Sequence, residues 1–337
     1  MRKILALCLF GASLVPHLQA QSSLSFSRTI SLPGVTGKFD HLAIDSKGNR
    51  LFIAATGKHS VEVVDLKTDK IQQSIQGLGK PHGLAWVAET GSLYVADGAL
   101  AELRVYTGSP LSLAGTIKLS SDADDMVYDA ARHQLFVGHG TGEAASPARV
   151  AVIDIANFTL TANIAVATHP EALDLDAQGG RVFVNVADSA EVAVIDSSRK
   201  EIVAHWKLTK AADNVPMAYD SAQALLYVAC RTPGTLLVLD AVNGKEIASA
   251  ASASGADDLF FDPMSQRLFL ISGLGEVDAY QAEAKTLHAL GVVKTAVGAK
   301  TALFVPDQNL LYVMVPGVGN GDAEVRVFTA GKPGDKK

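Results

Sequence analysis

A short apolar run recurs seven times along this chain, and its spacing constrains the fold more than any other feature. Each run places an aromatic residue between two aliphatic residues. The seven runs are Leu51-Phe52-Ile53, Leu93-Tyr94-Val95, Leu135-Phe136-Val137, Val182-Phe183-Val184, Leu226-Tyr227-Val228, Leu268-Phe269-Leu270 and Leu311-Tyr312-Val313. Successive runs begin 42 to 47 residues apart. Self-similarity at such a period is typical of repeat proteins in which each repeat forms one supersecondary unit.

The residues around each run predict β-strands. An apolar residue lies nine positions before every run, and turn residues such as Asp45, Gly48 and Asn49 separate the two. This spacing fits two strands joined by a tight turn and excludes a helix. A third, alternating segment follows, as in residues 61–65, and then a weaker fourth segment, as in residues 70–75. Four antiparallel strands per repeat predict an all-β chain that forms a seven-bladed β-propeller.

The seventh repeat ends at Thr329 after only three strands. Residues 25–32 precede the first repeat and have the composition of a strand. An N-terminal strand that completes the last blade would remove two open sheet edges. We therefore predict a single propeller over residues 21–330, closed by its N-terminal strand and followed by a polar C-terminal tail at 331–337.

The first twenty residues have the layout of a cleavable secretory signal peptide. Arg2 and Lys3 precede an apolar stretch that is too short to span a bilayer, and the small residue Ala20 precedes polar Gln21. We predict cleavage near Ala20-Gln21 and a periplasmic or secreted protein with no membrane span after cleavage, most simply a monomer. An uncleaved anchor is the alternative interpretation. Cleavage would leave Cys230 as the single cysteine, and its apolar neighbours predict a buried thiol.

The charge balance narrows the classes of partner. The formal net charge is −6, and loss of the signal peptide makes it more negative. Nucleic-acid binding proteins present basic surfaces to the phosphate backbone, so the acidic balance disfavours nucleic acid as a partner. A small ligand or a protein partner is the remaining expectation.

The repeat also resembles a known family. Its apolar runs, together with Phe-Asp-His-Leu-Ala-Ile-Asp at 39–45 and Ala-Asp-Asp-Leu-Phe-Phe-Asp at 256–262, are similar to the YVTN-type repeats of bacterial YncE-like propellers, within a periplasmic subgroup. The resemblance covers roughly residues 24–329 and implies a β-propeller. It implies no particular activity, because this family is largely of unassigned function and the fold hosts unrelated functions.

The repeat register selects candidate functional residues. In a propeller, the loops that enter each first strand and leave each second strand surround one mouth of the central channel. Polar residues at these positions should therefore converge on one axis. The candidates are Asp40, His41, His82, Asp124, Asp125, His169, Glu171, Asn214, Arg231, Asp257, Asp258 and Lys300. A longer loop at residues 140–147 falls on the same face, where insertions often mark a binding surface.

Three interpretations of these residues remain open at the level of the sequence. They can line a hydrated channel, with aspartates capping turns. They can bind a ligand or partner in a concave, charged funnel. They can also hold a divalent cation, for which Asp40, His41, Asp124, Glu171 and Asp257 are the candidate ligands; oxygen ligands suit Ca²⁺, and histidine with carboxylate suits Zn²⁺.

No recognised catalytic motif decides among these interpretations. The chain contains no His-Glu-x-x-His, Gly-x-Ser-x-Gly or P-loop sequence. The sequence therefore favours a non-catalytic binding module that requires no cofactor. The alternative is a metal-dependent hydrolase or lactonase with its site at the channel mouth. A redox-partner role like that of propeller subunits of quinoprotein dehydrogenases has no haem-attachment sequence to support it.

Overall fold

The computed structural model describes residues 24–141, 146–283, 285–319 and 321–331. The predicted signal peptide and all of the predicted tail except Gly331 lie outside the described residues. Among those described, the only helical elements are three single 3₁₀ turns, at Thr56–Lys58, Ala187–Ser189 and Pro306–Gln308. No helix in this part of the chain is long and apolar enough to span a bilayer.

The strands form seven separate four-stranded antiparallel sheets, which are the blades of a β-propeller. The first, innermost strands of blades 1 to 7 are Leu42–Asp45, Pro81–Val87, Met126–Asp129, Pro170–Asp176, Ala212–Asp220, Ala256–Asp262 and Ala302–Val305. The second strands are Arg50–Ala55, Ser92–Asp97, Gln134–His139, Arg181–Val186, Leu225–Thr232, Arg267–Ser272 and Leu310–Val315. Each second strand contains one of the seven repeated apolar runs.

The two remaining strands of each blade are farther from the axis. The third strands are Ser60–Asp65, Glu102–Thr107, Arg149–Asp154, Glu191–Asp196, Gly234–Asp240, Glu276–Glu283 and Ala323–Ala330. The outer strands are Lys70–Ile75, Ser112–Lys118, Thr159–Ala165, Glu201–Lys207, Glu246–Ala251, Thr286–Lys294 and, in blade 7, Leu24–Leu32. The predicted all-β, seven-bladed architecture is confirmed.

The N-terminal strand closes the ring, as the strand count predicts. Leu24–Leu32 pairs antiparallel with Ala323–Ala330, with Leu24 opposite Ala330 and Leu32 opposite Ala323. The backbone N–H of Ala323 also donates to the carbonyl of Val35, at 2.8 Å, just beyond this strand. Blade 7 therefore contains strands from both ends of the propeller, which leaves no blade with an incomplete sheet.

The repeated runs form the core because both faces of every second strand are buried between blades. In blade 1, Leu51 and Ile53 pack towards blade 7, whereas Phe52 packs towards blade 2. The central aromatic residue of all seven runs is fully buried: Phe52, Tyr94, Phe136, Phe183, Tyr227, Phe269 and Tyr312. Burial on both faces explains why these segments are continuously apolar rather than alternating.

Two sets of loops meet on one face of the ring, which we call the entrance face. One set connects each outer strand to the next first strand, and the other connects second strands to third strands. Backbone hydrogen bonds join the two sets, as from Gly98 to Lys80 and from Gly273 to Gly255, both at 2.9 Å. The pairing register shifts at the start of the first strands of blades 2, 4, 5 and 6. Such bulges redirect side chains and recur next to functional sites.

Candidate functional site

A cavity of about 300 Å³ lies at the entrance face and is lined by residues from six of the seven blades. Its charged lining residues are Asp40, His41, Asp124, Asp125, Glu171, Asp174, Asp257, Asp258 and Lys300. Eight of these nine were selected from the repeat register, since only Asp174 is absent from the twelve candidates. The apolar part of the wall includes Leu173, Met217 and Phe260. A concave wall with seven carboxyl groups against His41 and Lys300 is predominantly acidic.

Asp40, His82 and Asp124 form the tightest polar group at the cavity wall. His82 Nδ1 lies 2.5 Å from Asp40 Oδ2 and 3.7 Å from Asp124 Oδ1. One potential ligand atom from each of the three residues lies within 4.8 Å of the other two. The Oδ1 atom of Asp124 is buried and accepts no hydrogen bond within the described part of the chain. Asp124 Oδ1 is therefore an unused hydrogen-bond acceptor within this group of three residues.

His41 sits among carboxylates from three blades. Its Nε2 lies 3.7 Å from Asp40 Oδ1 and 3.9 Å from Asp124 Oδ1, and its Nδ1 lies 3.9 Å from Asp258 Oδ1. Burial opposes a charged imidazole, but the carboxylates of Asp125, Asp40, Asp258 and Asp124 outweigh burial and raise the pKa of His41 to about 10. The residue is therefore an imidazolium at neutral pH and neutralises part of the acidic wall.

His169 connects the cavity to the long loop of blade 3. Its Nε2 lies 3.5 Å from Asp124 Oδ2, and its Nδ1 lies 2.8 Å from the carbonyl oxygen of Gly140. Burial lowers the pKa of His169, but Asp124 and the Gly140 carbonyl raise it more, to about 9. Residues 142–145, at the tip of the long loop, lie outside the described residues.

Glu171 is the carboxylate with the greatest unused bonding capacity. It lines the cavity, and among the described residues it has no hydrogen-bond or ion-pair partner. Burial, with a smaller contribution from the neighbouring Asp124, raises the pKa of Glu171 to about 7. A carboxyl group in this state gains its missing hydrogen bonds when a donor enters the cavity.

Asp257 binds the two cationic side chains at one side of the cavity mouth. Lys300 Nζ lies 2.6 Å from Asp257 Oδ2, and the Arg231 guanidinium contacts Asp257 Oδ1. Arg231 Nε also donates to the carbonyl of Ala256, at 2.7 Å. Both cations are thus held by one carboxylate, which leaves the carboxylates on the opposite wall without a lysine or arginine partner.

Three carboxylates at the wall join neighbouring blades. Asp125 Oδ2 accepts the N–H of Leu173, at 2.8 Å. Asp174 Oδ2 and Asp258 Oδ2 accept the N–H groups of Tyr219 and Ala302, each at 2.7 Å. The acceptor and donor belong to consecutive blades in every case. These residues have a structural role in addition to their place in the wall.

Asp174 is a charged wall residue that the repeat register does not select. The sequence does contain a signal, because Asp174 interrupts the apolar pattern between Leu173 and Leu175 in a first strand. Successive side chains of a strand point to opposite faces, so this pattern directs the carboxyl group away from the apolar side. Burial raises the pKa of Asp174 to about 7.

Four of the twelve candidates do not line the cavity. His82, His169 and Arg231 each contact a carboxylate of its wall, whereas Asn214 lies away from it. Asn214 is fully buried between blades 4 and 5. Its Nδ2 donates to Asn185 Oδ1, at 2.8 Å, and to the carbonyl of Glu191, at 2.9 Å. The bulge between Asn214 and Met217 turns this position towards the neighbouring blade. Asn214 therefore joins two blades, and blade 5 contributes Val215, Pro216 and Met217 to the cavity instead.

The predicted cation ligands are only partly brought together. Asp40 and Asp124 belong to the three-residue group, but its third member is His82 rather than His41, Glu171 or Asp257. Glu171 and Asp257 occupy other parts of the wall. The grouped residues supply two carboxylates and one imidazole, a donor combination that suits a transition metal such as Zn²⁺ better than Ca²⁺.

Comparisons with known proteins identify the fold. No protein-family model matches the sequence, and no curated protein sequence matches it. A solved structure described as the crystal structure of the mitotic checkpoint complex aligns with a TM-score of 0.77 at 13% identity, over 97% of this chain and 98% of that one. Hydrazine synthase of Kuenenia stuttgartiensis aligns with a TM-score of 0.73 at 15% identity, over 88% of this chain and 98% of that one. These similarities agree with the β-propeller fold.

Proposed function

We propose that the protein is an exported binding module whose central cavity accepts a positively charged, hydrogen-bond-donating group. The observation that carries the proposal is the unpaired Glu171 carboxyl group in a wall of seven carboxyl groups. The resemblance of the repeats to periplasmic YncE-like propellers and the signal-peptide layout of the first twenty residues support export, and the absence of a recognised catalytic motif supports a binding role. The proposal includes no required cofactor and no nucleic-acid partner.

The unsatisfied hydrogen-bonding groups of the cavity wall favour a ligand that donates hydrogen bonds over a ligand that accepts them. Glu171 and Asp124 Oδ1 present acceptors that no described donor satisfies. The strongest donors, Arg231 and Lys300, already contact Asp257. An entering anion would have to displace these ion pairs and face the remaining carboxylates. An ammonium group would instead make charge-assisted hydrogen bonds, which are the stronger kind in a partly desolvated site.

Equilibrium binding of three matched probes tests this proposal. We expect butylammonium to bind the mature protein and butyrate or n-butanol to bind at least about tenfold more weakly, because only the ammonium complements the wall. Glu171→Gln keeps the side-chain shape and removes the charge, so it should weaken butylammonium binding about tenfold or more. Glu201→Gln, on the exposed edge of blade 4, is the matched control. Equal binding of butyrate, or no effect of Glu171→Gln, would contradict the proposal.

A metal-dependent hydrolase is the second candidate function, and the grouping of Asp40, His82 and Asp124 favours it. A bound Zn²⁺ would supply an activated water molecule, and these three residues would hold the ion. The nearby His41 would orient a polar substrate group. Elemental analysis of the mature protein tests this candidate.

One equivalent of metal that is lost in Asp40→Asn and His82→Gln, together with hydrolysis of lactone or ester substrates, would favour the enzyme over the simple binding module. Asp307→Asn, on the opposite face of the ring, is the control. The hydrolase would be excluded if the protein is metal-free after purification without chelators and still binds no metal after Zn²⁺ is added.

A further inference from the structure

Three adjoining loops of blades 6 and 7 form an exposed apolar surface beside the cavity mouth. They are residues 273–275, 295–298 and 316–319, and each contributes one large aliphatic side chain. The exposed fractions are 56% for Leu274, 83% for Val297 and 95% for Val318. We call these three side chains the apolar rim.

The three loops are in direct contact. Gly298 donates its N–H to the carbonyl of Gly273, at 2.9 Å, and Thr295 donates to Gly275, at 2.9 Å. A Cβ atom on Gly275 would lie 2.8 Å from Val297 N, and one on Gly298 would lie 3.2 Å from the Pro316 ring. The segments 273–275 and 295–298 thus pack backbone to backbone, where glycine permits the approach, and Gly298 packs against the Pro316 ring of the third segment. The three loops that carry the apolar rim therefore lie side by side.

The apolar rim lies in uncharged parts of its loops, two of which continue to a charged residue, Lys300 or Asp322. None of the three segments contains a charged residue. Several other loops of the entrance face carry charged residues such as Lys58, Lys80, Asp122 and Asp188, whereas residues 98–101 and 252–255 do not. Single exposed aliphatic residues are common on protein surfaces, but a contiguous uncharged group rimmed by polar residues is typical of interaction sites.

The apolar rim is continuous with the acidic cavity. A Cβ atom on Gly273 would lie 3.5 Å from Lys300 Cβ, and Lys300 lines the cavity and contacts Asp257. Gly273, the chain neighbour of Leu274, therefore lies beside a residue of the cavity wall. A small ammonium ion would leave this apolar surface in water. A larger ligand that carries apolar groups next to its cation would cover both.

We propose that the natural occupant is a segment of a partner protein in which a lysine or arginine side chain is flanked by aliphatic residues. The basic side chain enters the acidic cavity, and the flanking residues cover the apolar rim. This proposal rests on the cation-accepting cavity proposed above and names the class of molecule that supplies the cation. A second copy of the chain is disfavoured because two acidic mouths would face each other, and an anionic lipid surface is disfavoured for the same electrostatic reason.

Two display libraries of heptapeptides test the proposal, one with a fixed central lysine and one with a fixed central glutamate. We expect the mature protein to enrich peptides with aliphatic residues beside the lysine and to enrich none from the glutamate library. Enrichment without preference for lysine, enrichment of polar flanks, or no enrichment would each overturn the proposal. Arginine in place of the central lysine should be tolerated, because the cavity recognises the charge.

Matched variants then separate the apolar rim from the rest of the surface. Leu274→Ser, Val297→Ser and Val318→Ser combined should weaken the best lysine peptide at least about tenfold in fluorescence anisotropy. Val242→Ser with Met264→Ser removes two exposed aliphatic side chains from the opposite face and should change binding less than about twofold. An unchanged affinity in the rim variant would refute its role.

The same variants distinguish failure of this proposal from failure of the cavity proposal. The rim variant should bind butylammonium as the wild type does, because the cavity is intact. Wild-type binding of butylammonium without peptide enrichment would overturn this proposal alone, and binding of neither would overturn both. A dimer in sedimentation that disappears in the rim variant, or rim-dependent binding to phosphatidylglycerol vesicles, would also overturn it.

Discussion

Replacement of Asp174 by asparagine gives a signed prediction about stability. The Asp174 carboxyl group is half-buried where blade 4 meets blade 5, and its Oδ2 accepts the N–H of Tyr219 at 2.7 Å. Burial raises its pKa from the ordinary 3.8 to about 7. The folded state therefore retains a proton that the unfolded state releases at lower pH. The stability contribution is complete below 3.8 and is lost as pH rises through about 7.

The magnitude follows from the difference between the two pKa values. Each unit corresponds to about 1.4 kcal/mol, so ionisation of this group removes about 4 kcal/mol from the free energy of unfolding between acidic and alkaline pH. Asparagine does not ionise in this range. It does lose one acceptor oxygen, because its amide nitrogen cannot accept a hydrogen bond, at a cost of about 1–3 kcal/mol at every pH.

Asp174→Asn should therefore be less stable than the wild type at pH 4 and equally or more stable at pH 8. Urea unfolding followed by the fluorescence of Trp86 and Trp206 at several pH values measures the difference. Asp307→Asn, on an exposed turn, should show the same pH dependence of the free energy of unfolding as the wild type. A constant difference for Asp174→Asn from pH 4 to 8 would show that the carboxyl group is ionised in the fold, and would refute the reasoning.

Three further predictions concern the core, the thiol and the N-terminus. Phe136→Ala should lower the free energy of unfolding by about 3–5 kcal/mol in urea, because the ring is fully buried between blades 3 and 4; a loss below about 1 kcal/mol would contradict this packing. Cys230 is fully buried, and burial raises its pKa to about 12, so it should react with a thiol reagent at pH 8 only after unfolding. N-terminal sequencing of the exported protein should begin at Gln21, and a chain that retains Met1 would refute signal cleavage.

The fold could be predicted from the sequence because its strongest signal repeats. Seven buried runs at one period specify seven equivalent units, and the missing strand of the last unit specifies how the ring closes. The pairing of Leu24–Leu32 with Ala323–Ala330 follows from that count. A single repeat would not have been sufficient, since a short apolar run alone fits a strand or a buried helix.

The site could be predicted only in part, because neighbouring residues take different directions at the bulges. Asp124 faces His41 and His82, whereas Asp125 also accepts a backbone N–H from blade 4. In blade 5 the two equivalent positions are Val215 and Pro216, and Asn214, one residue earlier, turns into the interface between blades. The repeat register identifies which residues approach the propeller axis. Hydrogen bonds between neighbouring blades decide which of those residues remain free to bind a ligand. These hydrogen bonds depend on residues more than 20 positions apart in the chain.

The most direct test of the central claim is a crystal structure of the mature protein soaked with 4-iodobenzylammonium, in which anomalous scattering locates the iodine. We predict one ligand at the channel mouth, with its ammonium within hydrogen-bonding distance of Glu171 and its ring directed towards Leu274 and Val297. A parallel soak with 4-iodobenzoate should leave the cavity without iodine. Iodobenzoate bound in the cavity, or iodobenzylammonium bound only elsewhere, would contradict the claim that this propeller accepts a cation.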